Sequence, residues 1–295
     1  MTHVATIIAP HGMSSAALEK ARVPLAAAGI PVWLADGIAA DIPFTPENPI
    51  DQRALAARLK EEIGGAVDVV VQPLAHRRKK LFLADMDSTM IEQECIDELA
   101  AYVGLKQHVA AITERAMRGE IAFEPALRER VALLKGLPVS VVDEVIEKHI
   151  TLTPGGRTLV MTMRAHGAHT CLVSGGFTLF TNRVAAMIGF DETHANRLVV
   201  DGGHLAGAVE EPIFGRASKL RSLRSLRARL RLAKEESLVT GDGANDLDMI
   251  LDAGLGVAYH AKPKVAEAAA ARVDHADLAA LLYVQGYRRE EFVEA

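Results

Sequence analysis

The chain has 295 residues, of which 49% are hydrophobic and 24% charged, the balance of an ordinary folded protein rather than a disordered one. A formal net charge of −5 gives no general electrostatic attraction to nucleic acid or to an anionic membrane, so any site for an anion has to be local. Cys95 and Cys171, the two cysteines, are too few for a disulfide framework and lack metal-ligand spacing. The start Met-Thr-His-Val has neither the charge nor the apolar run of a signal peptide, and no segment reaches the ~18 apolar residues of a membrane span. The expectation is a soluble, cytoplasmic protein with no nucleic-acid or membrane partner.

In chain order, residues 3–10, 32–35 and 66–73 read as strands, separated by helical spacing at 14–28 and 51–63. This makes a small α+β unit over residues 1–75. It ends at His76-Arg-Arg-Lys-Lys80, read as an exposed basic hinge. From residue 80 onward the pattern is that of an α/β domain with a parallel sheet. Apolar runs at 81–84, 170–173, 237–240 and 255–258 read as its strands, and the first three are each followed at once by Asp85, Ser174 or Gly241-Asp242. Ligands of such sheets bind beyond the carboxyl ends of the strands. Helical spacing at 92–103, 106–118, 122–135 and 138–149 reads as a helical cap over 92–152, inserted between core segments 80–91 and 153–295. Leu198–Leu205, with a central Asp-Gly-Gly, reads as a hairpin.

Asp85-Met-Asp-Ser-Thr89 sets two carboxylates two residues apart after a strand. Alone, that pattern is equally a solvated turn or a helix cap. A third carboxylate in Gly241-Asp242-Gly-Ala-Asn245-Asp246 favours Mg²⁺, which prefers clustered oxygen ligands and draws in phosphate. Ser174-Gly-Gly176 offers a hydroxyl and uncovered N–H groups to an anion, though the same tripeptide serves as a plain turn. Lys219 could neutralise a transferring phosphoryl group. It is also one of eight basic residues over 216–234, set around a stripe of Leu220, Leu223, Leu226 and Leu230, so a solvated basic helix is the competing reading.

Taken jointly and in order, Asp85-x-Asp87-x-Thr89, Ser174, Lys219 and Gly241-Asp242-x-x-Asn245-Asp246 resemble the four motifs of the haloacid dehalogenase-like phosphatases. Residues 80–283 further resemble the phosphoserine phosphatases in Glu92-Gln-Glu94, Phe123–Arg130, Val173–Phe177 and Ala195–Leu198. That resemblance implies a Rossmann-like core and hydrolysis of phosphoserine, as the last step of serine synthesis, through an aspartyl phosphate. Another small phosphomonoester such as phosphohomoserine is the alternative substrate, and a catalytically inactive binder the alternative class. The resemblance makes Asp85 the nucleophile and Asp87 the acid and base. It gives Asp85, Asp242 and the Asp87 carbonyl to Mg²⁺, with Asp246 and Asn245 behind them, and Ser174, Gly175 and Lys219 to the phosphoryl group. Glu94 would take the substrate's ammonium and Arg130 its carboxylate, between walls of Met117 and Phe123. Residues 1–75 resemble an ACT-like (ferredoxin-like) module, although Ala9-Pro-His-Gly-Met13 stands where such modules carry a glycine turn. That likeness admits a homodimer and a regulatory amino acid as further partners.

Overall fold

The computed structural model describes residues 1–294. The chain begins β1 (His3–Ile8), α1 (Ser15–Arg22), β2 (Val32–Ala35), β3 (Ala39–Phe44), α2 (Gln52–Ile63), β4 (Asp68–Pro73). These strands form one antiparallel sheet in the order β2-β3-β1-β4, the ferredoxin-like arrangement. Ile7, Ile42, Val69 and Val71 face Leu18 and Leu59 of the two helices, while Ile8 and Val70 turn the opposite way into the main core of the molecule. Burial on both faces explains why β4 reads as a continuous valine run rather than an alternation.

Two readings from sequence require correction here. The strand-helix-strand-helix-strand order omits β3, whose Asp41 and Pro43 disguise it. Pro43 is tolerated because the pairing of β3 with β2 stops at Val32↔Asp41, so no ladder bond from residue 43 is needed on that side. Residues 76–80 are exposed at His76, Arg78 and Lys80, as expected, but are anchored at the other two positions. Arg77 donates to Asp41, Thr6 and the carbonyls of Tyr283 and Val284, and the buried Lys79 donates to the Glu235 carbonyl at 2.8 Å.

The chain continues with β5 (Leu81–Ala84), a wide turn at Met86–Met90, and four helices, α3 (Cys95–Ala101), α4 (Lys106–Met117), α5 (Phe123–Ala132) and α6 (Val141–His149). Then follow α7 (Gly156–Ala165), β6 (His169–Phe177), α8 (Thr178–Ile188), β7 (Glu192–Asn196), β8 (Leu198–Asp201), β9 (His204–Val209) and α9 (Arg216–Leu230). The last elements are β10 (Ser237–Gly241), α10 (Leu247–Asp252), β11 (Leu255–Tyr259), α11 (Pro263–Ala268), β12 (Ala271–Val273) and α12 (Ala280–Val284). Among the described residues no helix is long and apolar enough to cross a membrane.

Six strands form a parallel sheet in the order β12-β11-β10-β5-β6-β7. Leu81 and Leu83 pack on one face of it, Phe82 and Ala84 on the other, as expected of a strand covered on both sides. The chain runs outward from β5 through β6 to β7, then returns to lay β10 on the other flank of β5. The reversal opens a crevice beyond the ends of β5 and β10. The edge strands β7 and β12 lack apolar runs, which is why only four core strands are legible in the sequence.

The four inserted helices leave and rejoin the core through a narrow two-stranded neck. Ile91 pairs antiparallel with Leu152, and the Glu92 and Thr153 N–H groups donate to the carbonyls of Thr151 and Met90, both at 3.0 Å. The β8–β9 hairpin reverses at Gly202 and Gly203, both at positive φ as a two-residue hairpin turn requires. It supports the insertion from the side, since the Gly136 N–H donates to the Leu205 carbonyl and the Leu205 N–H to that of Leu137, both at 2.8 Å.

Candidate active site

Asp85 stands one residue past the end of β5, and the Thr240 carbonyl accepts its N–H at 3.1 Å, so the carboxylate emerges between β5 and β10. The following turn is wide, closed by the Ile91 N–H on the Met86 carbonyl, and Ser88 takes φ 54° within it. That left-handed residue reverses the chain and lets Asp85 and Asp87 share one crevice. The turn's hydroxyls are all engaged: Ser88 donates to Glu94 at 2.8 Å and Thr89 to Asp242 at 3.2 Å. Asp87 is held from two sides, by the Cys95 N–H at 2.9 Å and the Ser174 hydroxyl at 3.0 Å.

Ser174 extends from β6, and its Oγ also accepts the Gly176 N–H at 2.8 Å. Gly175 lets Phe123 approach closely, since a Cβ there would lie 2.7 Å from the Phe123 ring and force it to move. Lys219, in the first turn of α9, has no exposed surface, unlike the exposed or half-buried cations that follow it on that helix. Its Nζ lies 2.7 Å from Asp85 Oδ1 and 2.6 Å from Asp246 Oδ1. Leu223 and Leu226 of the predicted stripe are buried as expected, and the ammonium sits with them because two carboxylates meet it.

Asp85, Asp242 and Asp246 are all buried and present carboxylate oxygens within 4.8 Å of one another. Burial works against the Lys219 charge, but Asp246 and Asp85 outweigh it and hold its pKa above the ordinary lysine value. Among the described residues no such cation is in contact with Asp242. Burial, then the charges of Asp246 and Asp85, push its pKa well above the carboxylate range, and among the described residues the Thr89 hydroxyl is its only side-chain hydrogen-bond donor. Three oxygen donors, one uncompensated in a buried place, fit a small hard divalent cation.

A narrow cavity lies between this cluster and the inserted helices. Asp85, Asp87, Glu94, Met117, Phe123, Arg130, Gly175 and Asn245 all line it. Glu94 and Arg130, thirty-six residues apart, thus present opposite charges to one space. Burial, with Asp87 and Asp242 nearby, raises the Glu94 pKa well above its ordinary value. Asn245 Oδ1 is buried without a hydrogen-bond partner among the described residues. The insertion is fastened over the cavity by the Ala244 N–H on the Met117 carbonyl at 2.9 Å and by Lys262 Nζ on Glu114 at 2.9 Å.

Sequence reasoning gave no role to several residues that support this arrangement, Asn196 among them although Ala195–Leu198 carries part of the family resemblance. Asn196 accepts the Phe214 N–H at 2.6 Å and donates to the carbonyls of Gly175 and Phe214 at 2.8 and 2.9 Å, tying the glycine loop to the approach of α9. Thr113 and Asp97 stand behind Arg130. Nothing in the local sequence says what any of them will hold, and each acquires its partner only across the fold.

The chain matches the haloacid dehalogenase-like hydrolase family over residues 82–251. A phosphoserine phosphatase of Streptomyces coelicolor is 45% identical over 233 residues, 79% of this chain but 56% of that protein, so the chain spans little more than half the relative's length. One from a Polaromonas species is 44% identical over 224 residues, covering 74% of this chain and 95% of the relative. Among solved structures, a probable phosphoserine phosphatase from Vibrio cholerae superposes with a TM-score of 0.75 at 30% identity, over 98% of this chain and 88% of that one, the N-terminal sheet included. With the four motifs gathered around one crevice and this likeness along its length, the chain belongs to the haloacid dehalogenase-like hydrolases and, within them, to the phosphoserine phosphatase family.

Proposed function

We propose that this protein hydrolyses O-phosphoserine to serine and phosphate, with residues 92–152 acting as a cap over the site and residues 1–75 as an ACT-like unit behind the core. The observation that carries the reading is that Glu94 and Arg130 line the same small cavity as Asp85 and Asp87. A zwitterionic amino acid joined to a phosphate presents an ammonium and a carboxylate complementary to Glu94 and Arg130, and a phosphoryl group for the Asp85 end, where Lys219 supplies positive charge. Glu94 pairs with its ammonium and the Arg130 fork with its carboxylate, which leaves the phosphoryl group at Asp85. Met117 and Phe123 close the walls and exclude water.

Asp85 attacks phosphorus; the bond from phosphorus to the seryl oxygen breaks, and Asp87 gives that oxygen its proton. Burial, followed by the charge of Asp85, raises the Asp87 pKa, and this favours the protonated form the step needs. A water then attacks the phosphorus of the aspartyl phosphate and loses its proton to Asp87, while the bond from phosphorus to the Asp85 oxygen breaks and frees phosphate. Lys219, Ser174 and the Gly175 N–H bind the phosphoryl oxygens, and Asn245 offers its amide beside them. Asp85, Asp242 and the Asp87 carbonyl would hold Mg²⁺, with Asp246 orienting Asp242 and Lys219. The ion supplies positive charge that lets an anionic nucleophile meet an anionic substrate.

Phosphate release from a panel of small phosphomonoesters, including phosphohomoserine, tests this reading. Phosphoserine is expected to have the highest kcat/KM, activity to vanish with chelator and return with Mg²⁺, and Asp85→Asn to lose at least ~10³-fold in kcat with no trapped phosphoenzyme. An Asp85→Asn protein of full activity, or equal turnover of esters without an amino-acid end, would sink it.

A further inference from the structure

Two polar side chains behind the cavity wall have no part in the chemistry described above. Arg130 is 2% exposed, its Nε donates to the Ala126 carbonyl at 3.0 Å, and its Nη1 donates to Thr113 Oγ1 at 2.9 Å. Thr113, from α4, is itself 2% exposed, and its hydroxyl lies 2.7 Å from Asp97 Oδ1 in the first turn of α3. A hydroxyl has one proton and lone pairs to accept another. Since the guanidinium only donates, the threonine proton is free for Asp97 or for the Val109 carbonyl, 3.0 Å away. The shorter contact, to an ionisable oxygen, is the stronger. Hydrogen bonds therefore run in one direction, from Arg130 through Thr113 to Asp97, across three helices of the insertion. Arg130 lines the cavity; Thr113 and Asp97 do not.

We infer that Thr113 and Asp97 are positioning residues, which fix the plane of the Arg130 guanidinium and so set the preference for substrates that carry a carboxylate. An arginine side chain has many rotamers, and its fork recognises a carboxylate bidentately only when its plane is fixed. The Ala126 carbonyl and the Thr113 hydroxyl fix it at two nitrogens and leave Nη2 with no protein partner among the described residues. Asp97 holds the threonine rotamer that accepts, and places a carboxylate behind the cation without itself meeting the substrate. Burial is the main reason the Asp97 pKa is raised to about 6, with the Thr113 hydroxyl and Arg130 opposing that rise.

The inference rests on the proposed role of Arg130, and steady-state kinetics of Thr113→Val, Thr113→Ser and Asp97→Asn on phosphoserine and on p-nitrophenyl phosphate separate the two. Thr113→Val keeps the shape and loses both bonds; it is expected to raise KM for phosphoserine about tenfold, with kcat within about threefold and p-nitrophenyl phosphate unaffected. Thr113→Ser, which retains the hydroxyl, is expected to stay within about twofold of the native protein, and Asp97→Asn, which retains an acceptor, to fall between. Native turnover of phosphoserine with an unmoved KM in Thr113→Val overturns the relay alone. An equal loss on both substrates overturns it too, as the mark of a structural role. If Thr113→Val does not fold, Asp97→Asn decides by the same split. A native protein that does not turn over phosphoserine overturns the functional reading, and the relay with it as a selectivity device.

Discussion

Lys219 shows how one residue's meaning depends on where the fold puts it. In the sequence it is one of eight cations around a leucine stripe, whereas in the structure it is fully buried between Asp85 and Asp246. Removing one member of a buried charge cluster costs more than the pair contributes, because the remaining charges are left unpaired. Lys219→Met is therefore expected to lower stability by ~3–5 kcal/mol in metal-free buffer, with Mg²⁺ restoring part of the loss, as thermal denaturation with and without the ion would read. Unchanged stability would show that the buried carboxylates do not depend on the lysine's charge. The pH sense follows from the raised lysine pKa: the stabilisation is complete below the unfolded value of ~10.4 and is lost only as pH rises through the folded value. Asp85 and Asp242 were legible because each directly follows its strand, Asp87 because it stands two residues beyond Asp85, and Ser174 because it ends the apolar run 170–173 of β6. Thr113 and Asp97 were not, because a lone polar residue within a helix carries no local mark of the partner it will meet; Asn196, although part of the Ala195–Leu198 resemblance, showed none of its partners for the same reason.

At the scale of elements, the sheet's reversal between β5 and β10 makes the crevice, and the inserted helices close it. Polar contacts from the core and from the hairpin hold them there. One is the Lys262–Glu114 pair, whose backbone end is tied to the site because the Lys262 N–H donates to the Asp242 carbonyl at 3.0 Å. The side chains remain 31% and 41% exposed, so water screens the pair. A double-mutant cycle with Lys262→Met and Glu114→Gln should give a coupling below ~1 kcal/mol in global stability, yet raise KM for phosphoserine in each single variant by favouring an open insertion. A coupling above about 2 kcal/mol in stability would instead make the pair part of the folded core. The four inserted helices were legible from apolar spacing. Strands β3, β7 and β12 were not, since a proline, an edge position or brevity removes the pattern on which such reading relies.

Across the whole molecule, the N-terminal sheet is joined to the catalytic core by buried polar anchors as well as by apolar packing. Asp68, 1% exposed at the start of β4, accepts N–H groups from Asp274, His275 and Ala276 at 2.8, 3.1 and 2.9 Å. Gln72 adds a bond to the Val284 carbonyl at 2.7 Å, close to where Arg77 is held. Loss of the carboxylate leaves three amides without their acceptor, so Asp68→Ala should cost ~2–4 kcal/mol in denaturant unfolding with kcat and KM unchanged. A variant of native stability would mean that solvent reaches those amides, and that the two units are joined more loosely.

The sequence by itself determined the periodicities, the turns that follow strands, and the residue types of the four motifs, because these depend on neighbours within a few positions along the chain. It therefore determined the parallel α/β core, the helical insertion and the family. Tertiary structure alone decided which of many cations is buried, which carboxylates meet within 4.8 Å, and which side chains stand behind Arg130. Those outcomes depend on burial and on contacts between residues far apart in sequence, which residue order does not display until the sheet and the inserted helices have packed.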